Sequence, residues 1–209
     1  MPIPNEYYKL KDRKSKVLGH ERFFESAVLV PLVEFGGETC VLFEQRALNL
    51  NKQPGEICFP GGRIEETDDD EEQAAVRETC EELGLDREDV EVIAPLDVMM
   101  TPFNVVIHPF LCEIKDYARI KPNRDEVESV FCVPISYLLE NEPISNYVIV
   151  KMVLPPDYPY ELIPNGKQYP FRDGAYAQYF YTWGNHVIWG LTARILTHFL
   201  DLVRENLHV

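Results

Sequence analysis

Glu78, Glu81 and Glu82 carry the most specific chemical signal in this chain. In a helix, residues three and four apart share a face, so these carboxylates fall within an arc of roughly 100°. Val76, Cys80 and Leu83 point the other way and can pack on a sheet. Carboxylates four apart repel and destabilise a helix by a few tenths of a kcal/mol each. Arg77 is their only close cation in sequence. Oxygen ligands held on one rigid element suit a hard divalent cation, Mg²⁺ or Mn²⁺. The competing reading is a solvated acidic face. It accounts for Asp68 to Glu72, because acids at a helix start favour its dipole and Asp70 can cap. It accounts less well for the later glutamates, whose charge opposes the dipole, and it leaves the glycines Gly61 and Gly62 upstream unexplained.

The helix that must hold these residues reads Glu71–Leu83, with Asp70 as N-cap, Gln73 three residues on and Gly84 just past the end. Ser26–Glu34 and Thr39–Gln45 read as strands from their Val and Leu density. Asn49–Gly62 has the Pro and Gly content of an ordered loop. Val90–Met99, Val105–Ile114, Val127–Val133 and Tyr147–Leu154 are strand-like, and Ile135–Leu139 reads as a short helix. Five prolines make 155–172 irregular, and His186–Arg204 reads as a second long helix. The sum is an α/β fold, a mixed sheet with helices packed on it.

With 209 residues the chain is expected to form one domain spanning 1–209, with a polar and flexible stretch at 1–20. No apolar run approaches the length of a membrane span, and the N-terminus has no apolar segment of the secretory kind. The net charge is −15, which disfavours nucleic acid and anionic membrane as partners. The charge is local: Ile64 to Glu91 holds fourteen acids against Arg77 and Arg87, a net −12. Five scattered cysteines without a CxxC pair suggest reduced thiols in a cytosol. The last residues, Leu207-His208-Val209, are no peroxisomal tail, so the expected compartment is cytoplasmic. Arg46, at the end of its strand, can grip a phosphate or make a surface ion pair. Among the aromatics of 158–181, stacking on a base competes with roles in core or dimer contacts.

Gly62, Arg77, Glu78, Glu81, Glu82 and Gly84 resemble the Nudix box, with its REUxEExGU core. Thr79 stands where that core has an aliphatic residue, and the spacing from Gly62 through Asp68 to Arg77 is one residue longer than usual. The longer spacing and the Asp are similar to one branch, the coenzyme A pyrophosphatases. That branch carries the upstream signature LLTxRSxxxRxxxGxxxFPGG. Here Arg46, Gly55 and Phe59-Pro60-Gly61-Gly62 match it in register, while Ala47 replaces the Ser and Asn51 the second Arg. Ile188-Trp189-Gly190-Leu191-Thr192-Ala193 is similar to the branch's IWGxTA stretch.

The resemblance implies an α/β/α sandwich and a Mg²⁺- or Mn²⁺-dependent hydrolase that cuts coenzyme A or its thioesters to (acyl-)4′-phosphopantetheine and adenosine 3′,5′-bisphosphate. It assigns metal binding to Glu78 and Glu82. Glu81 becomes an auxiliary ligand or base, and Arg77 orients a glutamate and pairs with an upstream acid such as Asp68. Gly61 and Gly62 allow a sharp bend, with a loop carbonyl available to the metal and the loop available to substrate. Glu126 is a candidate general base, and Arg46 a candidate phosphate contact. The partner is then a small molecule; the oligomeric state stays open, a homodimer included. Two alternatives remain: a pyrophosphatase for another nucleoside diphosphate derivative (ADP-ribose, NADH, a dinucleoside polyphosphate), or a nucleotide-sensing domain without catalysis.

Overall fold

A computed structural model describes residues 4–14 and 17–207. The parts of the N-terminal stretch at 1–3 and 15–16, and the residues His208 and Val209, lie outside the described residues. The architecture is a mixed sheet between two helices. Strands β1 (Phe24–Phe35) and β7 (Val105–Ile114) run parallel, and every other pairing in the main sheet is antiparallel. The sheet path is β3-β2-β1-β7-β5, with β2 at Glu38–Arg46, β3 at Ile57–Cys58 and β5 at Val90–Pro95. Three further strands join it: β4 (Gly61–Arg63) beside β1, β6 (Met99–Met100) beside β7, and β8 (Val127–Pro134) beside β2.

Alternation along β1 and β2 builds two cores. Ala27, Leu29, Val33, Cys40 and Leu42 face one side, where Ala74, Ala75, Val76 and Leu83 of helix α1 (Glu71–Leu83) cover them. Val30, Val41 and Phe43 face the other side, against Ile195, Leu196, Phe199 and Leu200 of helix α3 (Gly190–Leu207). Strands covered on both faces read as near-continuous apolar runs, which is why β1 shows so little polar alternation. The short helix α2 (Ile135–Glu140) follows β8.

Helix α1 begins and ends at local signals. The Asp70 carboxylate accepts from the Gln73 amide at 2.8 Å. The Gln73 side chain reaches back to the Asp69 amide rather than to that of Asp70. Gly84 takes φ +61, ψ +40 and closes the helix. A side chain there would place its Cβ 2.3 Å from the Lys121 carbonyl oxygen.

Four local expectations need correction. Asn49–Gly62 is not all loop: its end forms β3 on β2 and opens β4 on β1. The strand expected over Val90–Met99 breaks after Pro95, whose missing N–H cannot serve the ladder, and resumes as β6. Strand β9 spans Ile144–Val150, ending where Gly174 ends the ladder with β10 (Gly174–Trp183), a strand not anticipated. The second long helix starts at Gly190, because His186–Ile188 turns back at Gly184 as strand β11 and pairs with Tyr181–Trp183. Strands β9, β10 and β11 make a separate three-stranded sheet. No helix among the described residues is long and apolar enough to cross a membrane.

Candidate active site

Helix α1 lies over β4, and the two carry the glycines and the glutamates to each other. Gly61 sits at φ +140, and a Cβ there would lie 2.3 Å from the Ala27 carbonyl oxygen of β1. Its amide donates to Glu82 Oε2 at 2.8 Å. Gly62 lies against Glu78, so that a Cβ would stand 2.5 Å from the Glu78 carboxyl carbon. The two glycines thus let the loop backbone touch β1 on one side and the helix carboxylates on the other.

Arg77 organises the outer side of the site. Its Nε and Nη2 donate to the two oxygens of Asp68 at 2.9 and 3.0 Å, a bidentate grip. Its Nη1 donates to Glu78 at 2.9 Å and to Glu81 at 3.5 Å, and Nη2 also reaches the Arg63 carbonyl at 3.2 Å. The Asp68 side chain is 2% exposed in this grip. The hydrogen bonds from Arg77 hold its carboxyl below the usual range. A depressed carboxylate stabilises the fold fully above its unfolded pKa of about 3.9, and that stabilisation is lost as pH falls through the lower folded value. The melting-temperature gap between wild type and Asp68→Asn should therefore be constant from pH 7 to about 4 and shrink below that.

Glu82 is 6% exposed and Glu44, on β2, only 1%. Burial raises the pKa of Glu82, and the neighbouring charge of Glu44 raises it further. Burial likewise raises Glu44. The charge of Glu126 acts on Glu44, Glu78 and Glu82, so the loop after Asn123 brings it into the same field. Glu44 Oε2 is buried with no hydrogen-bond partner. Among the described residues no three His, Cys, Asp or Glu side chains are gathered as a finished metal cage. Hard oxygen donors that repel one another, one with an orphaned buried oxygen, nevertheless fit a divalent cation. Glu78, Glu81 and Glu82 would hold it from α1.

A cavity of about 600 Å³ opens beside this cluster. Arg46, Cys58, Phe59, Gly61 and Gly62 line one side, and Trp189, Gly190, Leu191 and Thr192 another. Lys52, Arg63 and Arg194 add charge; sequence reasoning passed over all three because no motif specifies a residue at their positions. Among the described residues Glu56 is the only acid on this lining, an inversion of the chain's overall charge. Phe24, Phe103 and Ile107 make part of the wall apolar. Of the aromatics considered for stacking, Tyr176 lines the cavity, with the Arg194 guanidinium 5.4 Å above its ring. Tyr158, Tyr160, Tyr169 and Phe171 pack on one another instead.

The NUDIX domain model matches residues 24–152, and the chain belongs to the Nudix family. It is 37% identical over 134 residues to the mouse peroxisomal coenzyme A diphosphatase NUDT7, covering 63% of this chain and 57% of that one. It is 30% identical over 184 residues to the human mitochondrial coenzyme A diphosphatase NUDT8, covering 85% and 69%. The chain thus spans little more than half the length of the mouse relative. Among solved structures, a Caenorhabditis elegans Ap4A hydrolase binary complex is similar at TM-score 0.46 and 18% identity, covering 56% of this chain and 84% of that one.

Proposed function

We propose that this protein hydrolyses the pyrophosphate of coenzyme A or its thioesters, releasing (acyl-)4′-phosphopantetheine and adenosine 3′,5′-bisphosphate. One observation carries the reading. Arg46 with the FPGG loop and the IWGLTA stretch are about 130 residues apart in the chain, and both line one cavity beside the box carboxylates. Both stretches resemble the coenzyme A branch, and the relatives' names point the same way. The lining suits a long ligand with a polyanionic head and a less polar arm. The compartment we infer is the cytosol, which five free cysteines among the described residues support.

A bound Mg²⁺ or Mn²⁺ neutralises phosphate oxygens and acidifies the attacking water. The chain's own residues do the rest. Glu78, Glu82 and Glu81 supply ligand oxygens, with a Gly61 or Gly62 carbonyl available beside them. The Gly61 amide and Arg77 hold Glu82 and Glu78 in place. Arg46 contacts the diphosphate. Water forms a bond to one phosphorus, the bridging P–O bond breaks, and the water's proton passes to Glu81, with Glu126 in the same field as the alternative base.

Arg46→Ala should raise KM for coenzyme A about 10-fold or more, because a hydrogen bond to a charged group contributes roughly 1.5–3 kcal/mol, while kcat changes less. Comparing kcat/KM for coenzyme A, acetyl coenzyme A, ADP-ribose, NADH and a diadenosine polyphosphate tests the substrate assignment. Coenzyme A or its thioester should lead. A leading ADP-ribose would keep the chemistry and remove the branch; turnover of none, with cation-dependent stabilisation, would favour a sensor.

A further inference from the structure

Among the described residues Glu44 and Asp89 are buried carboxylates to which the reading above gives no task; Asp89 is ion-paired with Arg119, and Glu44 is not paired. Its position follows from β2. Cys40 and Leu42 face the α1 side of the sheet, while Val41 and Phe43 face the α3 side. The alternation carries Glu44 to the α1 side, where its ladder partners are Cys58 on β3 and Val130 on β8. Val130 packs in the apolar layer under α1. There Glu44 is 1% exposed. Its Oε1 accepts only from the Cys58 thiol at 3.3 Å, a weak donor, and its Oε2 has no partner. Among the described residues no ion pair includes it. Arg46, two residues on and past a register shift in the ladder, acts on Glu44 through its charge, and its Nε is buried and unpaired as well.

A buried, unpaired carboxylate is costly, and folds keep one where something binds it. Two acids bear on Glu44 and its surroundings: Glu82 from α1 and Glu126 from the loop before β8. Of the side-chain charges acting on Glu82, that of Glu44 is the largest. The signature this chain resembles has threonine in the register of Glu44.

The geometry points to Glu44 as an additional ligand of the divalent cation, meeting it from the sheet while Glu82 meets it from the helix. Glu44 then does for the ion on the buried side what Glu78 and Glu81 do on the solvent side. Cys58 fixes the rotamer, leaving Oε2 as the free donor. This rests on the assignment of Glu82 as a metal ligand, and the test separates the two.

Mn²⁺ binding to the full chain is measured by electron paramagnetic resonance for wild type, Glu44→Gln and Glu82→Gln, with melting curves in chelator and in Mn²⁺. Glu44→Gln should melt no lower than wild type in chelator, bind Mn²⁺ at least about 10-fold more weakly, and gain less melting temperature from the ion. Glu44→Thr, which restores the signature's residue, should behave alike if the glutamine folds poorly. Wild-type Mn²⁺ affinity in the Glu44 variants, with affinity lost in Glu82→Gln, would overturn the role of Glu44 and leave that of Glu82. Unchanged affinity in both variants, or no binding by wild type, would remove the site itself.

Discussion

Glu82→Gln should fold, melt at or above the wild-type temperature without metal, and lose at least about 100-fold in kcat. The activity loss follows from the ligand role, since even outer-shell partners of a metal are worth 10–100-fold. The stability gain follows from the surroundings. Glu82 is buried, with the charges of Glu44, Glu78 and Glu126 acting on it. A neutral amide of the same shape removes that repulsion and keeps an oxygen to accept from Gly61. Few substitutions of a buried charge predict a more stable and less active protein; a solvated acidic helix face predicts neither. Melting curves in chelator and steady-state rates in Mg²⁺ measure both halves. Full activity would take Glu82 out of the site, and a melt several degrees lower would mean that its charge is satisfied within the fold.

Gly61→Ala should be strongly destabilising for a single added methyl group. The residue sits at φ +140, where an L side chain costs about 1–3 kcal/mol. The new Cβ would also meet the Ala27 carbonyl oxygen at 2.3 Å, on a central strand that cannot yield cheaply. Overpacking of this kind costs a further 1–3 kcal/mol. A total of roughly 2–6 kcal/mol is a large share of the stability of a domain this size. In any folded fraction, the backbone shift that relieves the clash would move the residue 61 amide relative to Glu82, to which it donates. Gly62→Ala gives a contrast, because its Cβ meets the Glu78 carboxylate at 2.5 Å, the far end of a side chain that can swing away. The first substitution should lower the denaturation midpoint sharply and the second mainly the rate.

What could be read from sequence was what local chemistry decides. Helix α1 spans Glu71–Leu83, as its caps indicate, because Asp70 and Gly84 act within a few residues of themselves. The strands β1, β2, β7 and β8 were legible from apolar density, to within two residues at their ends. Strands β3, β4 and β11 were not, because two or three residues become a strand only through partners elsewhere in the chain. His186–Ile188 continues the apolar pattern of α3, and only the ladder to Tyr181–Trp183 separates them.

The site divides in the same way. Asp68, Arg77 and the box glutamates lie within fifteen residues, so their relation is visible as spacing. The cavity joins Arg46, Lys52, Arg63, Phe103 and Trp189, whose meeting depends on the whole sheet. Glu44 was passed over because a glutamate in a strand pattern suggests a solvent face. A signal was present: Cys40 to Phe43 are apolar at both parities, so β2 had to be covered on both sides and its next residue buried.

The most direct test of the account is the mass of the products formed from coenzyme A by the purified chain with Mg²⁺ or Mn²⁺. Adenosine 3′,5′-bisphosphate and 4′-phosphopantetheine in equal amounts are predicted, with neither formed in chelator. Dephospho-coenzyme A with inorganic phosphate, or intact coenzyme A beside cleaved ADP-ribose, would contradict it.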